Sequence, residues 1–272
     1  MKKLFFLFLT FSTAVFSQEL SMFPTGMNIQ PFSANTLEPR VGFMFKSSGN
    51  ELRLDIGNSI DLAKYQVETQ SFSLGADFFT WTLLRQESNF HFPVDAVDYL
   101  FGINLGYKNI IDNKFFGARF RLSHISAHLV DGHYDKKNFK WINNQLPRVY
   151  SREFVELIPF YEFQSLRLYA GLTYLFHTDP IVNNKLTYQL GFDYYQNHFM
   201  IRGISPFVAA DFKFDNNGSV VTNQSYYLGI KFGKPKGKGI KLYFTHYDGM
   251  NIHGEYYDFK EKYSGFGMNI DF

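Results

Sequence analysis

Apolar and polar residues alternate with a period of two along most of the chain. One long run, 114–131, reads KFFGARFRLSHISAHLVD, and its two arginines alternate with an apolar set. That apolar set is Phe116, Ala118, Phe120 and Leu122, followed at the same spacing by His124, Ser126 and His128. Because a strand sends successive side chains to opposite faces, the run predicts a strand with one apolar and one charged face. Its length exceeds the usual strand of about 5–6 residues and is typical of transmembrane β-barrels.

Eleven further segments alternate in the same way and bring the prediction to about twelve strands. They are 40–47, 51–57, 72–84, 99–108, 151–164, 166–176, 187–194, 206–214, 226–233, 240–246 and 263–272. An even number suits a bacterial single-chain barrel, in which the glycine-rich and charged set would face the lumen. A secreted β-sandwich shares this period, so alternation does not by itself separate the two folds.

Counting the strands predicts the topology. With both termini at the periplasmic side, 114–131 is the fifth strand and runs outward, which places His124, Ser126 and His128 on the lipid face near the outer leaflet. We expect outer loops at about 48–50, 85–98, 131–149, 177–185, 215–222 and 247–262, with short inner turns. The segment 58–70 is an exception, since it predicts a longer inner connection.

The two ends of the chain favour the barrel over the sandwich. Residues 1–17 have the charged start, short apolar run and small residues of a secretory signal peptide cut before Gln18. Residues 18–39 carry three prolines and no clean period, so we expect a periplasmic lead-in before a single barrel domain at 40–272. The last strand ends on Phe272 and resembles the recognition signal of the outer-membrane barrel assembly machinery. We therefore expect that machinery as a partner, and the bacterial outer membrane as the location.

Composition excludes several other classes of function. The formal net charge is +2, which does not indicate a nucleic-acid partner. The chain has no cysteine, so disulfides, a thiol nucleophile and thiolate metal sites are excluded.

His124 and Ser126 are the candidate catalytic pair. At positions i and i+2 of a strand they share a face, roughly 6.5–7 Å apart at a rise of ~3.3 Å per residue. A histidine base, a serine nucleophile and a third polar group that orients the imidazole are the usual arrangement for acyl transfer. Three residues could supply that third group, namely Asn138, Asp131 and Glu153.

Two other readings of these residues stay open. Histidine and serine at a barrel rim are also common as interfacial polar residues with no chemistry. A metal could instead be held by His128, Asp131 and His133, together with His124, but histidines four residues apart on a strand need loop closure to share one ion.

His124-Ile125-Ser126, with Asn138 twelve residues after the serine, resembles the His-x-Ser…Asn layout of outer-membrane phospholipase A. The resemblance implies a twelve-stranded barrel, a lipid-facing site at the outer rim and a calcium ion as possible cofactor. Lipid A 3-O-deacylase barrels have a similar His-x-Ser…Glu arrangement. The sequence departs from the phospholipases at Ala127, where they carry asparagine, and at His128, which is outside their motif.

A broader resemblance covers residues 23–26, 34–40, 124–131 and 150–153. These segments are similar to a family of bacterial outer-membrane barrels known only as a domain of unknown function, whose centre reads approximately His-x-Ser-Ser-His-Leu-Gly-Asp-Glu. This chain has Ala127, Val130 and Gly132 where that pattern has serine, glycine and glutamate.

Three functions remain as hypotheses. The first is a Ser/His hydrolase that acts on acyl esters of outer-membrane lipid and needs no cofactor beyond a possible calcium ion. The second is a narrow pore, since about twelve strands lie between a filled and an open barrel. The third is a structural or assembly subunit whose outer wall docks a protein partner in the membrane.

Overall fold

The computed structural model describes residues 18–47, 49–196, 201–216 and 220–272, and the predicted signal peptide lies outside them. The described chain is all-β apart from four short 3-10 turns. Its strands are β1 (Gln18–Met22), β2 (Val41–Lys46), β3 (Glu51–Val67), β4 (Gln70–Arg85), β5 (Val94–Ile111), β6 (Lys114–Leu129), β7 (Tyr134–Asp135), β8 (Lys140–Trp141), β9 (Tyr150–Phe163), β10 (Leu166–Asp179), β11 (Leu186–Tyr195), β12 (Ile204–Asn216), β13 (Val220–Gly233), β14 (Gly239–Met250) and β15 (Lys260–Asp271).

Twelve of these strands form a closed antiparallel barrel. Strand β2 closes it by pairing with β15 on one side and β3 on the other, and the remaining strands pair in chain order. Closure leaves no open edge within the barrel wall, so the backbone groups of the wall are satisfied without water. All twelve predicted strands are confirmed, as is the position of β6 as the fifth barrel strand.

The connections define two ends of the barrel. At the inner end the turns are short, for example 68–69, 112–113 and 164–165. At the outer end the longer loops are 86–93, 130–149 and 251–259, and the longest, 130–149, contains the small β7–β8 hairpin. The expected long inner connection at 58–70 was wrong, because β3 continues to Val67 and only Glu68 and Thr69 turn the chain.

The direction of the side chains excludes the sandwich. Phe120 and Leu122 point outward and are exposed, whereas Arg119 and Arg121 on the same strand are buried in the lumen. A soluble sandwich would bury the apolar set and expose the charged set, so this arrangement is that of a barrel with an apolar outer wall. No helix among the described residues is long and apolar enough to cross a membrane.

Residues 28–40, here called the luminal segment, run inside the barrel between β1 and β2. Phe32, Ala34 and Glu38 of this segment are almost completely buried. The Phe32 ring lies 4.3 Å from the Tyr169 ring centroid and beneath the guanidinium of Arg167 at 4.4 Å. The segment thus belongs to the interior, which differs from the expected lead-in ahead of the barrel. It lacks a period of two because the lumen surrounds it and it forms no strand.

Ion pairs fix the luminal segment to the wall. Both Arg119 and Arg121 contact Glu38 of the segment and Glu156 of β9, with Arg121 Nη2 2.7 Å from Glu156 Oε1. Glu38 also accepts hydrogen bonds from the backbone N–H of Phe32 at 2.9 Å and the amide of Asn35 at 2.8 Å. Both arginines of β6 are therefore paired with acids inside the barrel. A lumen packed in this way does not favour the pore hypothesis.

The loop 251–259 folds into the outer mouth. Trp81 Nε1 donates to the Ile252 carbonyl at 3.1 Å, and Asp98 accepts from the backbone N–H of Gly254 at 2.7 Å. Glu255 accepts from the backbone N–H groups of Leu129 and Arg148, each at 3.0 Å. These bonds connect the loop to the outer end of β6, where the candidate catalytic residues lie.

Candidate active site

A row of three titratable side chains crosses the outer wall. In the strand register Glu153 of β9 lies directly opposite His124 of β6 and also opposite His177 of β10. His124 Nδ1 is 2.5 Å from Glu153 Oε1, and His177 Nδ1 contacts Glu153 Oε2. One carboxylate therefore bridges two imidazoles.

Neighbouring side chains hold this row in place. The Ser151 hydroxyl donates to Glu153 Oε1 at 2.9 Å. The ring of Phe101 on β5 lies 4.9 Å from the His124 ring, centroid to centroid, and limits its rotation. A register shift between Leu175 and His177 of β10 turns His177 to the same face as Glu153, which is a common use of a β-bulge.

Ser126 lies in the next row toward the outer end. Its cross-strand neighbours are Tyr99 on β5 and Ser151 on β9. The side chain is half-buried on the outward face, as predicted, and its hydroxyl forms no hydrogen bond with any residue that the structure describes. In particular it does not bond to His124. Since Nδ1 of His124 is engaged by Glu153, Nε2 is the nitrogen left for proton transfer.

Of the three candidates for the third group, only Glu153 touches His124. Asn138 lies in the outer loop and donates to Asp135 Oδ2 at 2.6 Å, which lowers the pKa of Asp135 below its ordinary value. Asp131 begins the turn after β6 and is exposed. Asn138 does not contact His124 in this structure, because the outer loop holds it against Asp135.

The three residues considered as metal ligands are not brought together. His128 points outward against the Tyr99 ring, whereas His133 is buried, with Nε2 3.0 Å from the Ile142 carbonyl and Nδ1 3.2 Å from Asp95. No group of three or more histidine, aspartate or glutamate side chains in the described ranges is arranged to hold a metal ion.

The donor set near Ser126 does not fit calcium. This ion prefers six to eight oxygen ligands. The acid nearest to Ser126 in the strand register, Glu153, is occupied by two imidazoles. We therefore derive no step through calcium.

The sequence pattern did not identify His177 and Ser151 as candidate site residues. A signal for Ser151 was present, because it shares the alternating face of β9 with Glu153. His177 could not be found by alternation, since the bulge shifts its parity relative to the rest of β10.

Comparison with solved structures shows the fold. Outer membrane phospholipase A from Escherichia coli has a TM-score of 0.52 and 15% identity, over 85% of this chain and 90% of that chain. The dimeric Salmonella typhi enzyme with bound calcium has a TM-score of 0.55 and 14% identity, over 90% and 94%. An active-site mutant of the Escherichia coli enzyme has a TM-score of 0.53 and 15% identity, over 88% and 93%.

Sequence comparison adds the family. No curated protein matches the sequence. The model of a family described as protein of unknown function (DUF1207) matches residues 60–272, a range that contains β4 to β15 and every residue of the candidate active site. The chain belongs to this family of proteins of unknown function.

Proposed function

We propose that the protein is an outer-membrane lipid acyl hydrolase with Ser126 as nucleophile, His124 as general base and Glu153 as the group that orients His124. The observation that carries the proposal is the contact of 2.5 Å between His124 Nδ1 and Glu153 Oε1 on the outward wall, with Ser126 two residues further along the same face. The fold supports it, because the similar solved structures are outer membrane phospholipases.

Each residue has a distinct task in this reaction. Ser126 Oγ attacks the ester carbonyl carbon, and its proton passes to His124 Nε2. The tetrahedral intermediate collapses to an acyl-serine, and the proton passes from Nε2 to the leaving alcohol. Water, activated by the same nitrogen, then releases the fatty acid. Glu153 holds Nδ1 protonated and stabilises the imidazolium that forms in each half of the reaction.

The depth of the site suits an ester of the outer leaflet. Glu153 is the fourth residue of β9, so it lies about 10 Å along the strand from its outer end, at ~3.3 Å per residue. Polar groups on the lipid face cost only ~0–1 kcal/mol near the interface, compared with several at the midplane. Acyl chains would then pack against the exposed Phe120 and Leu122 further toward the inner end.

Ser126→Ala tests the proposal directly. The refolded protein in mixed micelles with phospholipid, and separately with lipid A, is assayed for fatty-acid release. Loss of a nucleophile from a catalytic triad lowers turnover by at least about a thousandfold. Turnover at the wild-type rate in this variant would refute the proposal.

Two serine variants serve as comparisons. Ser264 on β15 is half-buried and bonded to His246 Nδ1 at 2.9 Å, so Ser264→Ala removes a serine hydroxyl beside a histidine elsewhere in the wall and should keep full activity. Ser151→Ala removes one hydrogen bond to Glu153 and should reduce turnover less than Ser126→Ala does. If Ser151→Ala abolished activity and Ser126→Ala did not, Ser151 would be the nucleophile.

A further inference from the structure

A cavity of about 210 Å³ lies at the inner end of the barrel, at the opposite end from the candidate active site. It is bounded by the luminal segment, the inner ends of the strands and the turn 234–238. Six cationic side chains line it: Arg40, Lys108, Arg167, Lys231, Lys236 and Lys241.

Acids compensate only half of this charge. Three carboxylates line the cavity, those of Glu162, Asp193 and Asp271, which leaves an excess of three positive charges. Asp271 is shared by three cations, with distances of 2.6 Å to Lys231 Nζ, 3.1 Å to Lys241 Nζ and 3.4 Å to Arg40 Nε. Excess charge of one sign in a recess with protein walls raises the local concentration of the opposite ion.

Two of the lining lysines lie beside the same aromatic ring. Lys108 Nζ and Lys236 Nζ lie 5.7 Å and 5.5 Å from the centroid of the same ring, that of Phe115. Lys108 donates to the Asn28 carbonyl at 2.8 Å, and Lys236 contacts Glu162. Partial burial, followed by the charge of Lys108, lowers the pKa of Lys236 to about 8.

We propose that this cavity binds an oxyanion, with a phosphate ester as the class of ligand, between Lys108 and Lys236. Two ammonium groups can donate charge-assisted hydrogen bonds to different oxygens of one phosphate. A volume of about 210 Å³ exceeds that of several water molecules at roughly 30 Å³ each, so the cavity has room for a small organic group as well. The site is independent of Ser126 chemistry.

The probe is glycerol 3-phosphate, titrated calorimetrically at pH 7 and low salt into the full barrel in dodecyl maltoside micelles. We expect saturable binding at one site per chain, weakened by salt. Lys236→Gln and Lys108→Gln should each weaken it about tenfold, the effect of one lost charge-assisted hydrogen bond. Lys238→Gln is the matched control, because Lys238 is exposed on the same turn and does not line the cavity.

A variant that removes a negative charge should have the opposite effect on binding. Glu162→Gln removes the acid that contacts Lys236 and should tighten binding. Absence of saturable binding by the wild-type protein would overturn the proposal, as would equal weakening by Lys236→Gln and Lys238→Gln. Equal weakening by the two variants would show that binding depends on the overall charge of the turn and not on a site in the cavity.

Two further probes identify the source of the oxyanion. Inorganic phosphate that competes with glycerol 3-phosphate supports recognition of the oxyanion itself. Binding restricted to phosphatidylglycerol in the micelle, and unchanged by Lys108→Gln, would place the contact on the outer wall and contradict a site in the cavity.

Discussion

Replacement of Glu38 by glutamine tests whether the luminal segment is held in the barrel by charge. The side chain of Glu38 is fully buried between Arg119 and Arg121, and it also accepts the backbone N–H of Phe32. Glutamine preserves the shape of the side chain and removes its charge. The two arginines then share Glu156 as their one remaining acid among the described contacts.

Two separate estimates give a similar loss of folding stability for Glu38→Gln. Burial on its own would raise the pKa of Glu38, but the charges of Arg119 and Arg121 lower it from 4.5 to about 2. A difference of this size between folded and unfolded chain corresponds to about 3 kcal/mol of stability at neutral pH. Breaking a buried ion pair by removal of one partner costs a similar 3–5 kcal/mol, roughly.

The stability that Glu38 contributes is lost at low pH. Because the folded protein holds the Glu38 proton less tightly than the unfolded chain does, this stabilisation is complete above pH 4.5 and is lost as the pH falls toward 2. Glu38→Gln lacks the titrating group. The difference in stability between wild type and variant should therefore narrow below pH 4.5.

Urea unfolding of the barrel in phospholipid vesicles measures the effect, with tryptophan fluorescence, to which the buried Trp81 contributes, as the signal. Glu19→Gln is the matched control, because Glu19 is an exposed acid in β1 and its replacement should change the free energy of unfolding by less than about 0.5 kcal/mol. A loss below ~1 kcal/mol for Glu38→Gln at pH 7, or a loss that is the same at pH 3, would refute the reasoning.

Two further predictions concern the active site and the wall. Glu153→Gln keeps a hydrogen-bonding group beside His124 but removes the charge that stabilises the imidazolium. The kcat/KM for lipid ester should therefore fall by about a hundredfold or more. An unchanged kcat/KM would show that Glu153 has a structural role only. Gly117→Val should prevent assembly of the barrel, because a Cβ there would lie 2.2 Å from the Tyr107 carbonyl oxygen between β6 and β5. Ala118→Val, on the outward face, is the control, and loss of the heat-modifiable gel shift in both variants would contradict this explanation.

The barrel wall could be predicted from the sequence because its signal is local. A strand in a barrel has a lipid side and a lumen side, so alternation along one strand, such as the 18 residues of β5 or the 16 of β6, indicates both the element and the direction of each side chain. The outward direction of His124, Ser126 and His128 followed from the same rule. Where the rule weakens, in the polar second half of β3, the predicted strand ended at residue 57 although the strand continues to Val67.

The partners of those side chains depend on contacts between residues that are distant in the chain. Glu153 is 29 residues from His124, and the register of β9 against β6 decided in its favour over Asn138 and Asp131. The position of residues 28–40 depends on even more distant contacts, since Glu38 and Arg119 form an ion pair although they are 81 residues apart in the chain. A segment that is enclosed on all sides has no periodic face, so its place in the lumen has no signature in the order of its residues. Hydrophobic alternation thus decided the wall and its two faces, whereas closure of the barrel decided which charges meet inside it and which carboxylate reaches the histidine.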